Sequence, residues 1–108
     1  MSMIFFKNGK ELPNIVQFDG GYPDSETVGD TTTEIVAANV LRKYLAITND
    51  SSYDVYIAIG APALLNKGVL LKASGGSIVF GGNTLITGAV NGIMAGGNSG
   101  NISFMEGV

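Results

Sequence analysis

From residue 54 onward the chain is cut into short apolar runs by turn residues, and this segmentation constrains the fold more than any other feature. Val69 to Leu71, Ile78 to Phe80, Leu85 to Thr87, Gly88 to Ala95 and Asn101 to Glu106 are short runs. Most are separated by turn clusters: Ser74-Gly75-Gly76-Ser77, Gly81-Gly82-Asn83 and Gly96-Gly97-Asn98-Ser99-Gly100. Such spacing predicts short strands joined by tight turns, hence an all-β chain. The glycine pairs fall where turns need positive φ. Neither a P-loop nor a G-x-G-x-x-G pattern occurs, so the glycines do not read as a phosphate cradle.

Two longer strands lie upstream. Lys43 to Thr48 alternates, with Leu45 and Ile47 on one face and Tyr44, Ala46 and Thr48 on the other. Asp54 to Ile59 alternates again, with Val55, Ile57 and Ile59 opposed to Asp54, Tyr56 and Ala58. Around the turn Asn49-Asp50-Ser51-Ser52-Tyr53 they read as an antiparallel hairpin, with its aliphatic face on the core and Tyr44 and Tyr56 sharing the other face. With Thr31 to Ala38, about seven or eight strands result, at spacings near 8–12 residues. The expectation is all-β: an antiparallel β-sandwich, with jelly-roll topology as a candidate. Glu34 to Tyr44 keeps two readings. Ile35, Ala38, Leu41 and Leu45 have helical spacing, and Thr31 with Glu34 suits a capping box. The weight of Thr, Ile and Val favours strand.

Ile4 to Leu12 reads as a second hairpin, because Asn8-Gly9 supplies both positive-φ positions of a type I′ turn. A lone two-stranded hairpin is marginal in water and must pack on its own domain or on a partner. Beyond it, Pro13, Gly20, Gly21, Pro23 and Gly29 punctuate a polar stretch from Asp19 to Asp30. Residues 1–30 are therefore expected to be an N-terminal extended arm or docking hairpin, and residues 31–108 the sandwich. The alternative is that residues 1–30 supply the first sandwich strands. The apolar side chains of this segment, Ile4, Phe5, Phe6, Leu12, Ile15 and Phe18, are candidate partner-binding residues.

Composition narrows the chemistry. The 108 residues contain no His, Cys or Trp. That removes disulfides, Cys/His metal sites, and triads built on His or Cys. Two paired carboxylates could still hydrolyse a glycoside, yet nothing in the sequence pairs Asp50, Asp54 or Glu106. Asp19, Asp24, Glu26 and Asp30 miss the EF-hand spacing and read as a solvated acidic linker. No cofactor is expected. A net charge of −3 argues against nucleic acid, and no apolar run is long enough for a membrane helix or a signal peptide. Two glycosylation sequons, at Asn49 and Asn101, read as chance matches.

Charge is also unevenly placed. Only 14% of residues are charged, against about 25% in ordinary domains. Residues 55–108 carry just Lys67, Lys72 and Glu106. A solitary soluble domain keeps itself dispersed with surface charge. This chain is therefore expected to be a binding or assembly module covered by copies of itself or by a larger assembly. Tyr44, Tyr53 and Tyr56 around the predicted hairpin complete the candidate partner-binding set.

The run Arg42-Lys43-Tyr44-Leu45-Ala46-Ile47-Thr48-Asn49, then Val55-Tyr56-Ile57-Ala58-Ile59-Gly60, Pro62-Ala63, Gly68-Val69-Leu70-Leu71, Gly75-Gly76-Ser77, Phe80, Gly88 to Ala95 and Ile102-Ser103-Phe104 resembles small accessory proteins of tailed-bacteriophage particles. The resemblance covers residues 40–106 and rests on strand-and-turn order. It implies a β-sandwich head-decoration, staple or fibre-base module on the virion capsid surface, made in the host cytoplasm. It implies no catalytic residue, the major capsid protein as partner, and self-association as a dimer or trimer. A carbohydrate- or receptor-binding module of a phage head or tail fibre is the alternative, with the three tyrosines as a stacking surface.

Overall fold

The computed structural model describes residues 20–108 and, before them, the backbone of two short strands, β1 (Phe6–Lys7) and β2 (Lys10–Glu11). These pair antiparallel, Phe6 opposite Glu11 and Lys7 opposite Lys10. The candidate residues Ile4, Phe5, Leu12, Ile15 and Phe18, the side chain of Phe6, the Asn8-Gly9 turn and Asp19 lie outside the described residues.

Eight further strands build the domain: β3 (Gly21–Val28), β4 (Thr33–Val36), β5 (Tyr44–Asn49), β6 (Val55–Ile59), β7 (Val69–Leu71), β8 (Ser77–Gly81), β9 (Val90–Ile93) and β10 (Gly100–Gly107). They form two four-stranded sheets, β3-β10-β5-β8 and β4-β9-β6-β7, and every pairing is antiparallel. The pairings nest: β3 with β10, β4 with β9, β5 with β8, β6 with β7. The chain is thus one long folded-back ribbon rolled until β10 also meets β5 and β9 also meets β6. That is the jelly-roll arrangement of a β-sandwich.

The two sheets enclose one core. Leu45 and Ile47 of β5 and Ile102 of β10 come from the first sheet. Val55 and Ile57 of β6, Leu71 of β7 and Val90 of β9 come from the second. Val28, Ile35, Val36, Phe80 and Met94 complete it. Fully burying each such side chain stabilises the fold by about 1.5–3 kcal/mol.

The topology corrects several sequence expectations. β5 and β6 are not a hairpin: they lie in different sheets, and the loop between them arches across the sandwich. β9 and β10 are likewise joined by an arch rather than a hairpin loop. Among consecutive strands from β3 on, only β6 and β7 pair directly. Leu85 to Thr87 is not a strand; it follows a 3-10 turn at Gly82–Thr84. No helix spans residues 34–45, because β4 ends at Val36 and β5 begins at Tyr44. In each glycine pair one member does take positive φ: Gly75 (123°), Gly82 (54°) and Gly97 (82°).

The polar stretch read as part of an arm also behaves otherwise. Gly21–Val28 pairs along all eight residues with β10 and is an edge strand of the first sheet. Its composition suits an edge. Pro23 lacks an amide hydrogen, which an edge strand tolerates. Asp24 and Glu26 deter pairing with another chain. Tyr22, Asp24 and Glu26 share the core-facing side of their sheet with Phe104 and Ile102, yet all three are exposed. Strand β4 in the opposite sheet is only four residues long, against eight in β3.

Candidate functional site

The three candidate tyrosines separate. Tyr44 and Tyr56 face outward on opposite sheets, so they share no surface. In the second sheet, Tyr56 stands in register with Leu70 and Ile93. Tyr53 sits in the β5–β6 arch and is exposed. Tyr53 and Tyr56 meet in a shallow pocket of about 390 Å³ whose lining includes Ser52, Asp54, Leu65, Asn66 and Asn98.

The arch that carries Tyr53 is held by the side chain of Asn49, which is fully buried. Its amide donates to the carbonyls of Tyr53 (2.7 Å) and Leu71 (2.9 Å). Its oxygen accepts from Ser51 N (3.0 Å). The single Ser51 Oγ proton has both Asn49 Oδ1 (2.7 Å) and Tyr53 O (2.8 Å) within reach, and Ser51 Oγ accepts from Tyr53 N (3.1 Å). Both backbone polar groups of Tyr53 are therefore fixed. Asp54 is anchored too: Oδ1 accepts from Ala73 N (2.8 Å) and Oδ2 from Lys72 Nζ (3.0 Å). The Ala73 amide first, and the Lys72 ammonium second, hold its carboxyl below the usual carboxylate value of 3.8.

Tyr44 belongs to a different surface. The outward side chains of the first sheet run in rows across four strands. One row is Ser25, Ser103, Thr48 and Ser77. The next is Pro23, Met105, Ala46 and Val79. The third is Gly21, Gly107, Tyr44 and Gly81. With the Thr27–Asn101 pair, none of these positions carries a charge. On the second sheet the loop after β6 folds over the outside. Asn91 Nδ2 donates to Ala61 O (2.7 Å), Ala63 N donates to Thr32 Oγ1 (2.8 Å), and Ala63 is buried.

Sequence reasoning missed Arg42. It is 1% exposed and lies just before β5. Nε donates to Glu106 Oε2 at 2.7 Å. Nη1 donates to the carbonyls of Ile86 (3.0 Å) and Gly88 (2.9 Å), and Nη2 to that of Ala37 (2.7 Å). The planar guanidinium thus binds two loops and β10 to one end of the sandwich, while Asn49 holds the other end of β5. The sequence did hold a signal: Glu106 is the only acid after residue 54.

The carboxylates do not gather. Asp24 and Glu26 are exposed on the edge strand, and Asp30 accepts from Gly97 N (3.0 Å). Among the described residues no three acidic groups converge into a cation site, and no helix is long and apolar enough to cross a membrane. Compared with protein-family models, curated proteins and solved structures, the chain has no significant match.

Proposed function

We propose that this chain is a non-enzymatic structural protein of a phage particle, one that binds the outer surface of the capsid and stabilises the shell by bridging its subunits. The observation that carries the reading is the uncharged outer face of the β3-β10-β5-β8 sheet. Interface cores are depleted of charge, because a face without ions loses little on leaving water. Most side chains on this face are small, which suits close contact with a shell.

The dimensions say how such a face would work. Four strands at about 4.8 Å spacing, averaging about 23 Å long, present roughly 440 Å². A stable interface needs about 800 Å² per partner. One copy is therefore too weak alone, and several linked copies would gain through effective concentration. This supports a homo-oligomer, dimer or trimer, with each face on a capsid subunit and with Tyr44 at its rim.

The test uses purified particles. Shells carrying the protein are expected to resist heating better than shells lacking it. Ala46→Glu, which puts a charge between Met105 and Val79, is expected to abolish binding to shells while leaving the melting temperature unchanged. Equal shell stability with and without the protein would defeat the proposal.

A further inference from the structure

The Tyr53–Tyr56 pocket lies on the other side of the sandwich from the uncharged face, and we infer that it is a binding site for a neutral carbohydrate, a mono- or disaccharide unit. This inference is independent of any capsid role. Its first support is the set of groups that converge there. Tyr53, Tyr56 and Ser52, which carry hydroxyls, and Asn66 and Asn98, which carry side-chain amides, line one depression. None of these groups makes a hydrogen bond within the described chain, although Asn49, Ser51 and Asp54 close by are fully engaged. Hydroxyls and amides both donate and accept, as sugar hydroxyls do.

The second support is aromatic. Two tyrosine rings in one pocket offer the apolar surface that the C–H face of a pyranose needs, with polar tips at the edge. At about 390 Å³ the pocket is near the small end of the usual ligand range of about 300–1,000 Å³.

The third is charge. Asp54 is the only carboxylate in the lining, which holds no Lys or Arg, and its oxygens are already met by Lys72 and the Ala73 amide. An anionic ligand would find no cation there. A cationic one would find a carboxylate already compensated. Neutral, hydroxyl-rich chemistry is what remains.

The fourth is rigidity. The Tyr53 backbone is held by the side chains of Asn49 and Ser51, which reach its carbonyl and its amide, and the Tyr56 backbone by its place in a paired strand. A platform held in place before the ligand arrives loses little entropy on binding.

The experiment is an NMR titration of the isotope-labelled full chain with methyl glycosides of glucose, galactose and N-acetylglucosamine and with their disaccharides, beside an array of immobilised neutral glycans. The titration reads free sugar, and the array reads sugar displayed on a surface. At least one neutral sugar is expected to bind with a Kd near the millimolar range, about 1 mM. Its shifts should be confined to residues 52–56, 65–66 and 95–98. Tyr53→Ala and Tyr56→Ala should each weaken binding tenfold or more, while their amide spectra show the fold intact. Tyr44→Ala, on the opposite sheet, should change nothing. No binding by any probe in both arms, shifts centred elsewhere, or full affinity in folded Tyr53→Ala would each overturn the inference.

Discussion

Arg42→Met offers the sharpest test of how this sandwich is closed. Methionine replaces the guanidinium with an apolar chain of similar length, so packing is largely kept while four hydrogen bonds vanish. Three carbonyls, of Ala37, Ile86 and Gly88, then lose their partner, as does Glu106. Removing one partner of a buried ion pair costs about 3–5 kcal/mol, and each orphaned polar group about 1–3 kcal/mol before water enters. These overlap, so the expected loss is about 4 kcal/mol, a large share of the roughly 5–15 kcal/mol that holds a domain together. For a chain of this size that lowers the melting temperature by about 15–20 °C. Urea denaturation followed by circular dichroism measures it. Glu106 is 21% exposed at its side chain, so Glu106→Gln should cost only about 1 kcal/mol. Most of the loss is then owed to the carbonyls. The double variant Arg42→Met/Glu106→Leu should therefore stay close to Arg42→Met alone. A double variant restored to near wild-type stability would refute this, because the ion pair rather than the carbonyls would then set the cost.

Asn49→Ala leaves the carbonyls of Tyr53 and Leu71 without their donor and is expected to lose about 2–4 kcal/mol in the same denaturation assay. Gly68→Ala places a Cβ against Ile57 O at φ +85° and should destabilise by more than about 2 kcal/mol, whereas Gly96→Ala, with open space around it, should stay within about 0.5 kcal/mol. Asp54 keeps its proton less readily folded than unfolded. Its contribution is thus complete above its ordinary value near 3.8 and fades as the pH falls through its lower folded value. The melting temperatures of wild type and Asp54→Asn, compared between about pH 6 and pH 2, should therefore converge toward the acid end.

Much of the fold was legible because it depends on alternation and punctuation. Leu45 and Ile47, Val55 and Ile57, and Ile102 all face the core, as period-two spacing requires. The turns fell at the glycine pairs for the same backbone reason. Residues 21–28 were opaque because an edge strand is paired on one side only. Where β4 stops short, its inward side is also wet, so hydrophobic alternation is absent from Tyr22 to Glu26. Arg42 was opaque because a cation before a strand reads as solvated. Only the folded chain brings three carbonyls and Glu106 around it.

Strand alternation leaves open which strands are partners, and partnership decides how the candidate residues group. Two alternating strands joined by a five-residue polar loop carry the same pattern whether they pair side by side or face each other across a core. In a hairpin the aliphatic residues lie next to each other on one face, and Tyr44 and Tyr56 lie next to each other on the other. In an arch the aliphatic sets meet through the core, and the tyrosines point away from each other. Two features of the loop favour the arch. Asn49 is the last residue of β5, and its inward side chain spans the gap by donating to Leu71 O on the opposite sheet. Ser74 N and Gly75 N donate to Ser51 O and Asn49 O (2.8 Å each), tying the β7–β8 arch to the β5–β6 arch. A hairpin would pair β5 with β6 and leave the amide of Asn49 buried without those acceptors. The arch therefore separates Tyr44, on the uncharged face proposed for assembly, from Tyr53 and Tyr56, in the pocket assigned to a sugar. One variant at each place can then abolish one activity and leave the other intact.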